Sequence, residues 1–159
     1  MTTYHKSDIA RAQLETAVDV FLRGLSHHSV ITLAGAASGI LTGLVHAAGK
    51  ETFVDYARRV HEGLQGSTPK RDSYAHHIEK AFGISAHKHL SETDSDSVEL
   101  DVEELAANAL GRAIADYVTL NGRDEPFVKA YLQWAWVNKD GPEIMKMYDA
   151  VPKKLRRRS

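Results

Sequence analysis

From Ser29 to Gly49 the chain runs for 21 residues, SVITLAGAASGILTGLVHAAG, without a charged side chain if His46 is counted neutral. As a helix this stretch spans about 30 Å, the thickness of a bilayer's hydrocarbon core. It is therefore either a membrane anchor or the inner helix of a soluble bundle. Gly35, Gly39 and Gly43 stand four apart and fall on one stripe of such a helix. Each costs about 1 kcal/mol relative to Ala in a helix interior, so the stripe predicts a neighbouring helix packed close against it. Membrane helix dimers use the same spacing. Here, however, small residues dominate the segment, no aromatic belt flanks it, and His46 lies inside it. The rest of the chain supplies amphipathic segments that need an apolar partner, which a helix apolar on all sides provides. The expectation is a soluble bundle built around this helix, with no membrane partner.

Helical periodicity runs through the other segments. Leu14, Ala17, Val18, Phe21 and Leu25 mark a first helix, opened by Ser7 or Asp8 and stopped near Gly24. Phe53, Tyr56, Val60 and Leu64 mark a third, ended by GSTPK. A fourth runs from about Arg71 towards His89 with Tyr74, Ile78, Ala81 and Phe82 inward and a bend at Gly83. Asp101 caps a fifth with Glu104 three residues on, an acidic variant of the capping box, and Leu105, Ala109, Ala113 and Tyr117 follow its period. Pro126 opens a sixth through Phe127, Tyr131 and Trp134, and KDGP precedes a small terminal helix at 143–150. Nothing of useful length alternates as strand. The fold class is all-α: a bundle of five to six helices around the Gly/Ala-rich central one.

The chain of 159 residues is the size of one domain. Residues 1–150 are read as a single helical bundle and 151–159, containing KKLRRR, as a disordered basic tail. The absence of cysteine closes the disulfide, thiolate-zinc and cysteine-nucleophile readings and fits a reducing cytoplasm. The N-terminus lacks the basic region and apolar run of a signal peptide, so the expected location is cytoplasmic. Net charge is -1, and nothing global points to nucleic acid. The distribution is uneven, because residues 92–104 hold seven acids and no base while the tail is basic. Glycine-rich phosphate loops, paired catalytic carboxylates and a serine elbow are absent, and no cofactor is called for.

Taken together, AVDVFLRGLSHHSVITLAGAASGILTGLVHAAGK, then AHKHL, an acidic loop, and DVEELAANALGRAIADYVTLNG resemble a group of small helical bacterial proteins that are similar to the HEPN superfamily. The resemblance spans about Ala17 to Gly122. It implies a helical bundle, a homodimer, and either metal-independent ribonuclease activity or binding of RNA, nucleotides or proteins. The ribonuclease motif is Arg, a polar residue, a few residues and His. That pattern suits attack by a 2′-hydroxyl, with His moving the proton and Arg stabilising the phosphate charge. In ISAHKH, Lys88 and His89 match the end of the motif, while Ile84 and Ser85 stand where Arg and its polar neighbour belong. Ser38 and Gly39 likewise stand where the second helix of the group carries acids. In RDSYAH, Arg71, Asp72 and His76 satisfy the spacing at an earlier position, and Arg23 and His28 match it loosely. The resemblance therefore implies a degenerate site, with His89 or His76 as acid/base and Lys88 or Arg71 on phosphate. Ribonuclease activity is expected to be weak or absent.

Nine histidines occur, several as His27–His28, His76–His77 and His87-x-His89. They read as an acid/base pair, a metal site, or polar residues at helix ends. No two stand at i, i+4 and the Glu-x-x-His of di-iron bundles is missing, so no metal is expected. Asp72, His76 and Glu79 share a helical face. Trp134 fits the core, while Trp136 points elsewhere, towards a subunit interface. An interaction module without catalysis is the competing reading.

Overall fold

The computed structural model describes residues 1–89, 97–139 and 141–156. Seven α-helices follow one another: α1 (Lys6–Leu22), α2 (His27–Ala47), α3 (Phe53–Gln65), α4 (Arg71–Ala81), α5 (Val102–Asn121), α6 (Pro126–Asn138) and α7 (Gly141–Ala150). A 3-10 turn follows at Lys153–Leu155. There is no strand among the described residues. The class is all-α as the periodicity requires, with α7 raising the helix count above five or six.

The core is a three-helix unit in which α2 packs along both α1 and α5. Leu14, Val18 and Phe21 of α1, Val30, Ile31, Ala34 and Leu41 of α2, and Ala106, Ala109, Leu110 and Ala113 of α5 form its buried centre. Small residues dominate the α5 contribution, which lets the helices approach closely. Helix α6 closes the unit over α1. Arg11 holds Glu125 in a bidentate pair, both bonds 3.1 Å, and Trp134 sets its edge against Phe21 at 4.6 Å between ring centres. The Asp101 cap forms as expected, its Oδ1 accepting the Glu104 N–H at 3.1 Å. The Glu104 carboxylate itself is engaged by Asn108 and Lys139.

Helices α3 and α4 form a hairpin joined to the core through polar contacts. Asp116 of α5 is fully buried and accepts the Phe53 N–H at 2.7 Å and the Thr42 hydroxyl at 2.9 Å. One turn earlier, Arg112 is buried 3.7 Å from Glu79 of α4. Burial pulls its guanidinium below the ordinary arginine value, against the attraction of Glu79 and Asp116. Residues 151–156 turn back over α3: Arg59 donates to the Arg156 carbonyl at 3.2 Å and Leu155 covers Gly63. Trp136 is half-exposed and lies over Gly141 at the start of α7.

The glycine stripe departs from the expectation. Only Gly35 is packed, because a Cβ there would lie 2.8 Å from Ile84 Cγ2. A Cβ at Gly39 or Gly43 would meet nothing within 4 Å, and both residues are exposed. The central helix is therefore covered on two sides and bare on a third. The pattern of small residues marked a close approach correctly at one glycine and failed at two, because spacing places residues on a face without saying whether the chain covers that face.

Candidate functional site

The chain around Ile84 positions the residues singled out in ISAHKH. Helix α4 ends at Ala81, short of the expected His89, and Gly83 adopts φ +71°. A side chain there would be strained, and its Cβ would lie 2.9 Å from Leu105 Cδ1. The turn drives Ile84 into the core, where it is 1% exposed and lies on Gly35 of α2. Ile84 is thus an apolar plug against α2.

Beyond the plug, the turn runs past the start of α2. His28 Nδ1 and His87 Nε2 are 2.9 Å apart, and His87 Nδ1 lies 2.7 Å from the Gly83 carbonyl. A carbonyl only accepts, so His87 Nδ1 carries the hydrogen. In the neutral ring, Nε2 of His87 then accepts from His28 Nδ1–H, which leaves His28 Nε2 as a bare acceptor at the surface.

Lys88 is exposed, and its Cε lies 3.5 Å from where a Gly35 Cβ would stand. The glycine makes room for the lysine stem along α2. His89 is exposed beside it, its N–H donating to the Ser85 carbonyl at 3.1 Å. Ser26 caps α2 by accepting the Ser29 N–H at 3.3 Å, and no residue in the first turn is acidic. The remaining N–H groups of that turn have no intrahelical acceptor and carry the positive end of the helix dipole. A shallow depression lined by His28, Ser29, Thr32 and Leu33 opens at the same end. The Lys88 ammonium and the first-turn N–H groups suit an anion, and a phosphate above all, whereas both ring N–H groups of the neutral His28–His87 pair are already taken.

The other candidate residues lie elsewhere. Arg71 starts α4 and is held by Asp55, with bonds of 2.7 and 3.3 Å. Burial raises the Asp55 carboxyl, but hydrogen bonds from Arg71 and Thr52 outweigh it and hold the group below the usual carboxylate value. His76 is exposed on α4. The rise of the helix separates Arg71 from Ala81 by about 15 Å, and neither Arg71 nor His76 contacts Lys88 or His89. Glu79, which shared a face with His76 in the sequence, turns to Arg112. No group of three His, Asp or Glu among the described residues could hold a metal. The acids Glu92, Asp94 and Asp96 lie outside the described residues.

His28 and His87 are the residues that sequence spacing could not join, since 59 positions separate them. Their signals were the occurrence of His pairs at predicted helix ends and, for His28, a loose match to the Arg–His spacing with Arg23. No protein-family model matches the chain, and neither does any curated protein or solved structure.

Proposed function

We propose that the chain is a HEPN-like domain that binds RNA or a nucleotide through phosphate at the start of α2, using Lys88, His89 and the His28–His87 pair. The observation that supports this reading is the His28–His87 pair at the start of α2, whose first turn holds no acid, with Lys88 lying along the same helix at Gly35. Phosphate would be bound by charge and by first-turn N–H groups. The bare Nε2 of His28, or His89, is placed to exchange a proton with a 2′-hydroxyl. The arginines matching the motif are engaged elsewhere: Arg71 is committed to Asp55 and Arg23 to Asp19, and position 84 is a buried isoleucine. Cleavage is therefore weak or absent, and binding is the function.

The test is a titration of the 15N-labelled chain with adenosine 5′-monophosphate and inorganic phosphate, beside a cleavage assay on labelled RNA with chelator present. Shifts confined to His28, Ser29, His87 and Lys88 support the site. Shifts centred on Arg71 and His76 move it to α4. Robust cleavage that survives His89→Ala and His28→Ala contradicts the catalytic assignment. If neither ligand binds, the reading as an interaction module without catalysis takes its place.

A further inference from the structure

Helix α5 buries two charged side chains one turn apart. Asp116 accepts the Phe53 N–H and the Thr42 hydroxyl. Arg112 is 4% exposed, yet its Nε and Nη1 have no hydrogen-bond partner among the described residues. Its third nitrogen, Nη2, lies 3.7 Å from Glu79 Oε1, close enough to balance charge and too far for a hydrogen bond. The Ser38 hydroxyl of α2 is buried and unpartnered among the described residues as well. The two orphaned groups stand at one level. Thr42 bonds Asp116, and further along Lys50 bonds the Thr119 carbonyl, so α2 and α5 run in the same direction. Ser38 and Arg112 each lie four residues before the first of these pairs, on the same faces and one turn earlier. A guanidinium buried with bare donors is strongly unfavourable until an acceptor meets them.

We infer that Arg112 and Ser38 form a seat for a small carboxylate, which the Glu79 side chain covers and a ligand displaces. A guanidinium presents two forks that include Nη2, one with Nε and one with Nη1. Each fork of Arg112 therefore holds one bare donor and shares the nitrogen nearest Glu79. A carboxylate centred where the Glu79 carboxylate stands can take either fork through two parallel bonds of about 2.8 Å. Glu79 makes neither bond, because its stem holds it on α4 at 3.7 Å. A free carboxylate has no such tether. The way in lies on the Glu79 side, where the side chain is 34% exposed against 4% for Arg112. Like charge drives Glu79 out to solvent as the ligand enters. The ligand is small, because the bare atoms of Arg112 are sealed from solvent. It is a monoanion, because one charge balances one guanidinium, while a dianion would leave excess negative charge near the buried Asp116. The seat is separate from the phosphate site proposed above, since Ser38 lies about 15 Å along α2 from His28.

The test follows the Arg112 Nε–H signal of the full 15N-labelled chain, assigned by scalar coupling through its own side chain. Sodium acetate is titrated against sodium chloride at equal ionic strength, with inorganic phosphate in a parallel series. Acetate is expected to move the signal saturably in the wild type, in the millimolar range of so small a ligand. Ser38 and Glu79 should move with it, while His28 and Ser29 stay still. Glu79→Gln keeps the side chain's shape and removes the competing charge, so it should bind acetate about 10-fold more tightly. Arg112→Lys replaces the fork by a point charge and should lose the binding. Should that variant fail to fold, the wild type and Glu79→Gln decide the matter alone. An Arg112 signal that acetate leaves unmoved in the wild type would assign its donors to buried water and overturn the inference. Equal or weaker acetate binding in Glu79→Gln would overturn it too, as would a signal moved by phosphate and not by acetate.

Discussion

His28 on α2 and His87 beyond α4 share a 2.9 Å hydrogen bond, and the Gly83 carbonyl fixes which nitrogen of His87 carries the hydrogen. The neutral pair is therefore expected to hold His87 as the Nδ1–H tautomer, the less common form in free imidazole. A long-range 1H–15N correlation spectrum above pH 8 should show His87 Nε2 unprotonated. In His28→Ala the tautomer should persist, since the Gly83 carbonyl remains. An Nε2–H signal for His87 would show that the pair is not formed as described.

The glycines of α2 should behave in opposite ways. Gly35→Leu pushes against Ile84, which is buried and branched at Cβ and so has little freedom to yield. It is expected to destabilise by about 1–3 kcal/mol or more. Gly39→Ala meets nothing within 4 Å and should stabilise the single copy by up to about 1 kcal/mol through helix propensity. Urea unfolding at low micromolar concentration measures both. Equal effects at the two sites would contradict the arrangement.

Asp55 ties Arg71 and Thr52 together at the start of the hairpin. Burial raises its carboxyl, but the Arg71 and Thr52 hydrogen bonds outweigh that and hold it below the usual carboxylate value. The stability it contributes is therefore fully present above about pH 4 and is lost as the pH falls through the lower folded value. Asp55→Asn should be less stable than the wild type at pH 7, and the difference should shrink towards pH 3. A difference that grows on acidification would reverse the sign and refute the assignment.

Much of the fold was legible in the chain. The periods of α1, α5 and α6, the Asp101 cap and Pro126 at the head of α6 all reappear in the structure, because local signals of this kind depend on neighbours a few residues away. The limits were contacts between distant parts of the chain. The hydrophobic pattern could not tell that Gly39 and Gly43 would be uncovered, or that Leu155 would bring the tail back onto α3. At the candidate site, Lys88 and His89 were visible as a sequence pattern. His28 was visible only as a loose match with Arg23, and its pairing with His87 was not, since only the turn at Gly83 brings His87 to it. Arg71 and His76 matched a spacing, but that spacing places them along α4 and away from Lys88.

The central claim is that phosphate is bound beside Lys88 at the start of α2. It is tested most directly by the affinity of the wild type and Lys88→Ala for labelled single-stranded RNA at several salt concentrations. The wild type should bind at low salt with an affinity that falls as salt rises. Lys88→Ala should bind more weakly and with a shallower dependence, the slope reduced by about 0.7 for one lost phosphate contact on a single strand. An unchanged affinity and slope in Lys88→Ala, with the wild type binding well, would place the phosphate elsewhere and contradict the account.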